Sequence, residues 1–409
     1  MTSFLQLLAL LAVIILAAKT AGYLSTRVGQ PSVFGELLVG VLLGPSLLNI
    51  THLPFITNTH LAETIQEFGE IGVLLLMFLA GLELHLSELA KNTAVSAYGG
   101  VLGVLMPVSL GALTGSLFGM DLEHSLFLGL TLGATSVSIS AQTLIELGRL
   151  RSRVGLGLLG AAVFDDILVI LLLSTFTALL SGSDAGFAQI LMIIVRMVIF
   201  LVGGALIGLY LFPRMYRRVS RLPISQGLVA LTLIVLFVYG ITSELIGGMA
   251  AITGAFLAGL MVGRTTEKDR IENGLSAIAY GLFVPIFFVN IGLQINVREM
   301  PASAIWLILA ISAVGILGKI IGSGIGAKLG KFSWVESLQL GIGMVSRGEV
   351  GLIVASVGLT NGLLSEEVFS AIVAMVLITT LVTPPLLRAS FSDRLTHRNA
   401  KPTVSQEAE

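Results

Sequence analysis

Long apolar runs, interrupted at fairly regular intervals by short clusters of charge, proline and glycine, dominate this chain. A helix needs ~20 mostly apolar residues to cross the hydrocarbon core of a bilayer. The punctuation predicts thirteen such spans, over 3–18, 32–50, 69–86, 93–118, 125–147, 152–181, 188–212, 225–244, 247–264, 274–296, 303–328, 333–358 and 366–388. The expected fold is therefore an all-α polytopic membrane protein. The first run has neither a basic stretch before it nor a small-residue cleavage site after it, so it reads as a span rather than a signal peptide.

Lysine and arginine positions orient those spans, because positive charge in short loops stays on the cytoplasmic side. With the N-terminus outside and the C-terminus inside, nineteen of the 23 basic residues fall in inner loops or the tail, among them Lys91, Arg149, Arg151, Arg153, Arg214, Arg217, Arg218 and Arg221. Outer loops hold only Arg298, next to acidic residues such as Glu63, Asp121 and Asp184. An odd error in the helix count would scramble that alternation.

Composition narrows the function classes. Of 409 residues, 55% are apolar and 11% charged, with a mean hydropathy of +0.98; soluble domains carry about 25% charged residues. There is no cysteine, and the five histidines form no metal-binding pair, which argues against thiol chemistry, zinc and any resident cofactor. A net charge of −1 without a nucleic-acid-type basic cluster gives no reason to expect DNA or RNA as a partner. Membrane lipids and small ions remain.

Faint self-similarity divides the chain. "GELLVGVLLG" (35–44) is similar to "GAFLAGLMVG" (254–263), and "FLAGLELHL" (78–86) to "FVNIGLQIN" (288–296). Each pair lies seven spans apart, and an odd number of crossings reverses orientation, so the pattern predicts two inverted six-helix repeats joined by span seven. Such repeats place substrate near the midplane, where broken helices meet. Two matching breaks are expected, at "GATSVSIS" (133–140) in span five and "VSRGEVGL" (345–352) in span twelve. The alternative at the first is that Thr135, Ser136, Ser138 and Ser140 bond back to helix carbonyls or pack against a neighbour.

Ionisable residues deep in spans are costly and mark function by default. Here they are Asp165, Asp166, Lys319, Arg347 and Glu349, with Glu36, Glu83 and Arg196 nearer span ends. Neighbouring helical positions point ~100° apart, so Asp165 and Asp166 serve different surroundings: one meets a protein cation, with Lys319 the obvious candidate, and the other faces an ion path. Around Lys319, Gly318, Gly322, Gly326 and Gly330 let a neighbouring backbone come close. Arg347 and Glu349 read first as compensating the ends of interrupted helices. Glu36 and Glu83, close to the cytoplasmic ends, read first as solvated, with Glu36 alternatively lining an entrance, and Arg196 as snorkelling.

These motifs, "QPSVFGELLVGVLLGP", "GATSVSIS", "AAVFDDI", "ILGKIIG" and "SRGEVGLIVA", resemble in type and order the cation/proton antiporter superfamily, specifically bacterial NapA-type sodium/proton antiporters. The resemblance implies a homodimer in a prokaryotic inner membrane. It implies a dimerisation domain from residues 1–92 and 225–302, a core transport domain from 93–181 and 303–388, a linker helix within 182–224, and a polar cytoplasmic tail at 389–409. Asp166 then corresponds to the cation and proton site, Asp165 and Lys319 to a salt bridge coupled to proton release, and Thr135, Ser136, Ser138, Arg347 and Glu349 to the crossed breaks. Sodium prefers oxygen ligands, by extension from other hard cations, which Asp166 and Thr135 offer. The expected activity is electrogenic exchange of sodium or lithium for protons by alternating access, with no enzymatic step. Potassium/proton exchange is the nearest alternative, and a cation channel a more distant one.

Overall fold

The computed structural model describes residues 2–50, 56, 60–84, 92–180, 186–294 and 304–392, apart from the side chains of 174, 177–180, 186–190, 349 and 360. The sequence expectations for Lys91, Asp184, Arg298, the Glu349 side chain and the tail beyond 392 lie outside these described residues. Every regular element among them is helical. In chain order the helices are α1 (Ser3–Arg27), α2 (Ser32–Leu43), α3 (Leu61–Glu83), α4 (Thr93–Leu117), α5 (Leu122–Gly133), α6 (Val137–Glu146), α7 (Arg153–Leu180) and α8 (Gly186–Val219). There follow α9 (Gly227–Thr242), α10 (Ala251–Val262), α11 (Lys268–Ile278), α12 (Val284–Leu293), α13 (Ile305–Leu329), α14 (Trp334–Gly343), α15 (Glu349–Thr360) and α16 (Glu366–Ser390). Short π-helical turns extend α9 over Ser243–Gly247 and join α11 to α12 over Ala279–Phe283.

Ten segments among the described residues are long and apolar enough to cross a membrane, with three shorter apolar helices at Ser32–Leu43, Ala251–Val262 and Val350–Leu359. Ends differ from the sequence expectation by several residues: α1 runs on to Arg27, α3 begins at Leu61 and α8 reaches Val219. Each extension is a polar turn that an apolar count leaves out and that helix hydrogen bonding carries beyond the hydrocarbon-length run.

The helices pack into two groups. In one, α2 lies on α1 and α12, and α3 on α10 and α12. In the other, α4 is central, against α5, α7 and α13, with α13 also touching α14 and α16. Small residues make the central contact possible. A Cβ added at Gly322 or Gly326 would fall 2.4 or 2.2 Å from the Leu102 or Tyr98 carbonyl oxygen of α4, while Gly318 and Gly330 meet Pro107 and Val95 of the same helix. All four glycines singled out around Lys319 thus face α4, and any side chain there would push the two backbones apart.

Candidate functional site

Two interruptions cross at the centre of the second group. The first separates α5 from α6 at Ala134, Thr135 and Ser136, and the second separates α14 from α15 over Met344–Gly348. Unpaired backbone groups here need partners, and the two breaks supply them to each other. The Ser136 N–H donates to the Ser346 carbonyl at 2.9 Å, and the Ser346 hydroxyl donates to the Ser136 carbonyl at 2.6 Å. Ser140 Oγ donates to the Gly343 carbonyl at 2.6 Å, and the Ser136 and Ser138 hydroxyls lie 3.0 Å apart. Gly348 is required at this crossing because a Cβ would sit 2.7 Å from Ser136 Cβ.

Arg347 is fully buried and ties the crossing together. Its guanidinium donates to the Val345 carbonyl at 2.5 Å, the Leu132 carbonyl at 2.9 Å and the Gly315 carbonyl at 3.0 Å. Leu132 lies at the C-terminal end of α5 and Val345 just past that of α14. One cation therefore serves two negative dipole ends, the compensating role read from sequence. Its own carbonyl accepts from Thr380 Oγ1 at 2.5 Å.

The paired carboxylates of α7 separate as helical geometry requires. Asp165 is 1% exposed and ion-paired with Lys319, which is 0% exposed. Asp165 keeps its second oxygen, Oδ2, buried without a hydrogen-bond partner. Asp166 instead faces the first helix group, where Thr253 Oγ1 of α10 donates to its Oδ2 at 3.2 Å. Beside it is a cavity of only about 10 Å3, lined by Met77, Phe256, Ile252 and Val137 among others, room for about one water. Val137 opens α6, so Asp166 shares that cavity with a helix N-terminus, where an anion is favoured. Thr135, 4% exposed, keeps Oγ1 buried and unpartnered.

Two groups escaped the sequence reading, Thr253 and Glu146, and two that it did assign, Arg196 and Glu36, sit differently. Thr253 is the one polar side chain between 247 and 263, and that isolation was the available signal. Glu146, at the end of α6, accepts from the Ser32 N–H at 2.6 Å and the Ser32 hydroxyl at 2.5 Å, capping α2 from the other helix group; nothing in a one-dimensional pattern links positions 114 residues apart. Arg196 does not simply snorkel: it donates to the Leu245 and Ile246 carbonyls at 2.7 and 2.9 Å, serving the π-helical turn after α9. Glu36 is not solvated but 6% exposed, under the close approach of α1 to α2. Glu83 is partly exposed, 3.8 Å from Arg151. Among the described residues no group of three or more His, Asp or Glu is arranged to hold a metal.

Comparison with known proteins gives a consistent setting. Residues 12–389 match the family model described as sodium/hydrogen exchanger, transmembrane. The chain is 42% identical over 381 residues to the Na+/H+-K+ antiporter GerN of Bacillus cereus, covering 93% of this chain and 95% of that one. It is 35% identical to a Na+/H+ antiporter of Enterococcus hirae, over 94% and 98% of the two chains. In fold it is similar to the sodium proton antiporter MjNhaP1 of Methanocaldococcus jannaschii, with a TM-score of 0.67 at 16% identity over 95% of this chain and 97% of that one.

Proposed function

This chain belongs to the sodium/hydrogen exchanger family, and from that premise we propose that it exchanges sodium for protons across the cell membrane at Asp166. The observation that carries the proposal is the division of labour on α7. Lys319 neutralises Asp165, whereas Asp166 accepts from Thr253 and borders a small cavity between two helix groups. A carboxylate so placed holds sodium or a proton but not both, which is the requirement for exchange. Thr135 Oγ1, buried without a partner, is a further oxygen for a dehydrating cation.

Transport needs the site to reach each side in turn. The helix group built on α4, α5, α7 and α13 is the transport core in this reading, and that built on α1, α2, α3, α10 and α12 is the dimerisation scaffold. α8 is the linker, and sliding of core against scaffold carries Asp166 between the two faces. The ten long and three short apolar helices, together with the alternation of basic residues, support thirteen crossings with the N-terminus outside. Inverted repeats are supported by packing. The repeat relates α2 to α10 and α3 to α12, so contact α2–α12 has α10–α3 as its counterpart. In the first, a Cβ on Gly292 would meet Gly40 Cα at 2.7 Å; in the second, a Cβ on Gly259 would meet the Phe78 carbonyl at 2.0 Å beside Gly81. The mutual bonds of Ser136 and Ser346, 210 residues apart, follow the same symmetry.

Displacement of a proton from Asp166 by sodium, with release of a second proton from Lys319 as its pair with Asp165 loosens, makes the exchange electrogenic. Everted vesicles from an antiporter-deficient strain test the reading: sodium or lithium dissipates the proton gradient in the wild type, and Asp166→Asn abolishes it. Dissipation that survives Asp166→Asn overturns the site. Potassium is tested in the same vesicles because the Bacillus relative is named for potassium as well; a response to potassium alone replaces sodium as the substrate.

A further inference from the structure

The far end of α8 and the turn after it carry Arg214, Arg217, Arg218 and Arg221, a cluster that the exchange reading does not use. With Tyr210 they line an open pocket of about 520 Å3. None of the four has a carboxylate within ion-pair distance among the described residues. Positive charge at a cytoplasmic helix end is ordinary, but four arginines with no lysine, gathered around one pocket, are chemically narrower. The planar guanidinium fork matches phosphate oxygens, whereas an ammonium is a point charge.

The same helix face continues as a bare apolar strip. Ile199, Val202, Leu206 and Tyr210, spaced by three or four residues, are 58%, 53%, 48% and 65% exposed. Gly203 interrupts the strip with open space, since a Cβ built there meets nothing within 4 Å. From Ile199 to Tyr210 the strip is roughly 16 Å long at ~1.5 Å per residue, about half of the ~30 Å hydrocarbon core. An open cationic pocket at the end of a one-leaflet apolar strip has room for a phosphate headgroup above an acyl chain.

We propose that this face of α8 is a binding site for an anionic phospholipid, with the phosphate held by Arg214, Arg217, Arg218 and Arg221 and an acyl chain along Ile199–Tyr210. The charge complements the headgroup, and the strip explains why the ligand is a lipid rather than a soluble phosphate. Because α8 joins the two halves of the chain, the bound lipid anchors the linker against which they move.

The test is lipid retention on the full-length protein, delipidated in detergent and offered phosphatidylglycerol or phosphatidylcholine, read by native mass spectrometry. Juxtamembrane basic residues contribute about fivefold each to affinity for anionic lipid. The wild type therefore retains phosphatidylglycerol preferentially, and Arg217→Gln/Arg218→Gln/Arg221→Gln loses roughly a hundredfold in affinity. If that variant does not fold, the triple lysine variant replaces it, and a fall in phosphatidylglycerol affinity with net charge retained is the expected result. Equal retention by wild type and variant, no preference over phosphatidylcholine, competition by inorganic phosphate alone, or a change of oligomeric mass in the variant each overturns the proposal. None of these readouts depends on which ion is exchanged.

Discussion

Thr253 on α10 donates a hydrogen bond to the Asp166 carboxylate on α7 at 3.2 Å, joining two helix groups beside a cavity lined mostly by apolar side chains. Both residues are buried, at 4% and 8% exposure, so the bond acts in a low-dielectric setting where donors to charged groups contribute about 1.5–3 kcal/mol.

That bond favours every state in which Asp166 is ionised over the state in which it carries its own proton. On the proposed role of Asp166 as the exchange site, removing the bond lets protons compete better with sodium. Thr253→Val is expected to raise the apparent KM for sodium about tenfold or more at fixed pH, with Thr253→Ser restoring it and kcat less affected. An unchanged KM in the valine variant means that the hydroxyl does not act on the carboxylate.

The Asp165–Lys319 pair is a matched liability. Breaking one partner of a buried ion pair costs about 3–5 kcal/mol, whereas removing both is far milder. Asp165→Asn is expected to lower thermal stability in detergent sharply, and Asp165→Asn/Lys319→Met to recover most of the loss. A double variant no more stable than the single one refutes energetic pairing.

Arg347 supports carbonyls from three helix segments. Each carbonyl left unsatisfied costs about 1–3 kcal/mol, so Arg347→Met is expected to destabilise by several kcal/mol. Arg347→Lys recovers only part, because a single ammonium does not span both interrupted helix ends. Unfolding scans that rank lysine equal to arginine contradict the shared-cap geometry.

Ser32 and Glu146 join the two helix groups near the ends of α2 and α6. An N-terminal cap is worth about 0.5–2 kcal/mol, enough to shift a balance between conformations several-fold. Since the chain has no cysteine, Ala162→Cys gives a unique label site beside Asp166. Its reactivity toward a membrane-impermeant maleimide is expected to change several-fold when Glu146→Gln is added, and an unaltered rate argues that the cap does not gate the cavity.

Asp121 begins α5, outside the apolar run, and accepts the His124 N–H at 3.0 Å. This bond holds its carboxyl below the ordinary aspartate range. A lowered folded-state value means that the contribution to stability is present above the unfolded value and is lost as pH falls through the folded one. Asp121→Ala is expected to remove that acid-side loss from a pH series of melting curves, and identical curves for the two proteins count against the cap.

The long apolar runs and the aspartate pair were legible because both are local. Hydrocarbon thickness sets a length that can be counted along the chain, and a charge inside such a run is conspicuous from its neighbours alone. Lys319 as a buried cation and Arg347 as a helix-end cation were legible for the same reason. Thr253 was less so, since a single hydroxyl in an apolar span costs little and is commonly satisfied by its own helix. The Ser32–Glu146 cap was invisible, because both residues are ordinary at helix ends.

The sequence by itself determined a helical membrane chain, the positions of its two breaks and the residues too costly to be accidental. Only the tertiary structure decided that Thr253 of α10 is a partner of Asp166. It also decided that one arginine serves both breaks, and that the unsatisfied backbone of each break is completed by the other. The physical reason is that desolvation penalties are written residue by residue, whereas the partners that offset them come from helices more than 80 residues away, as with Thr253 and Asp166, and are chosen by packing.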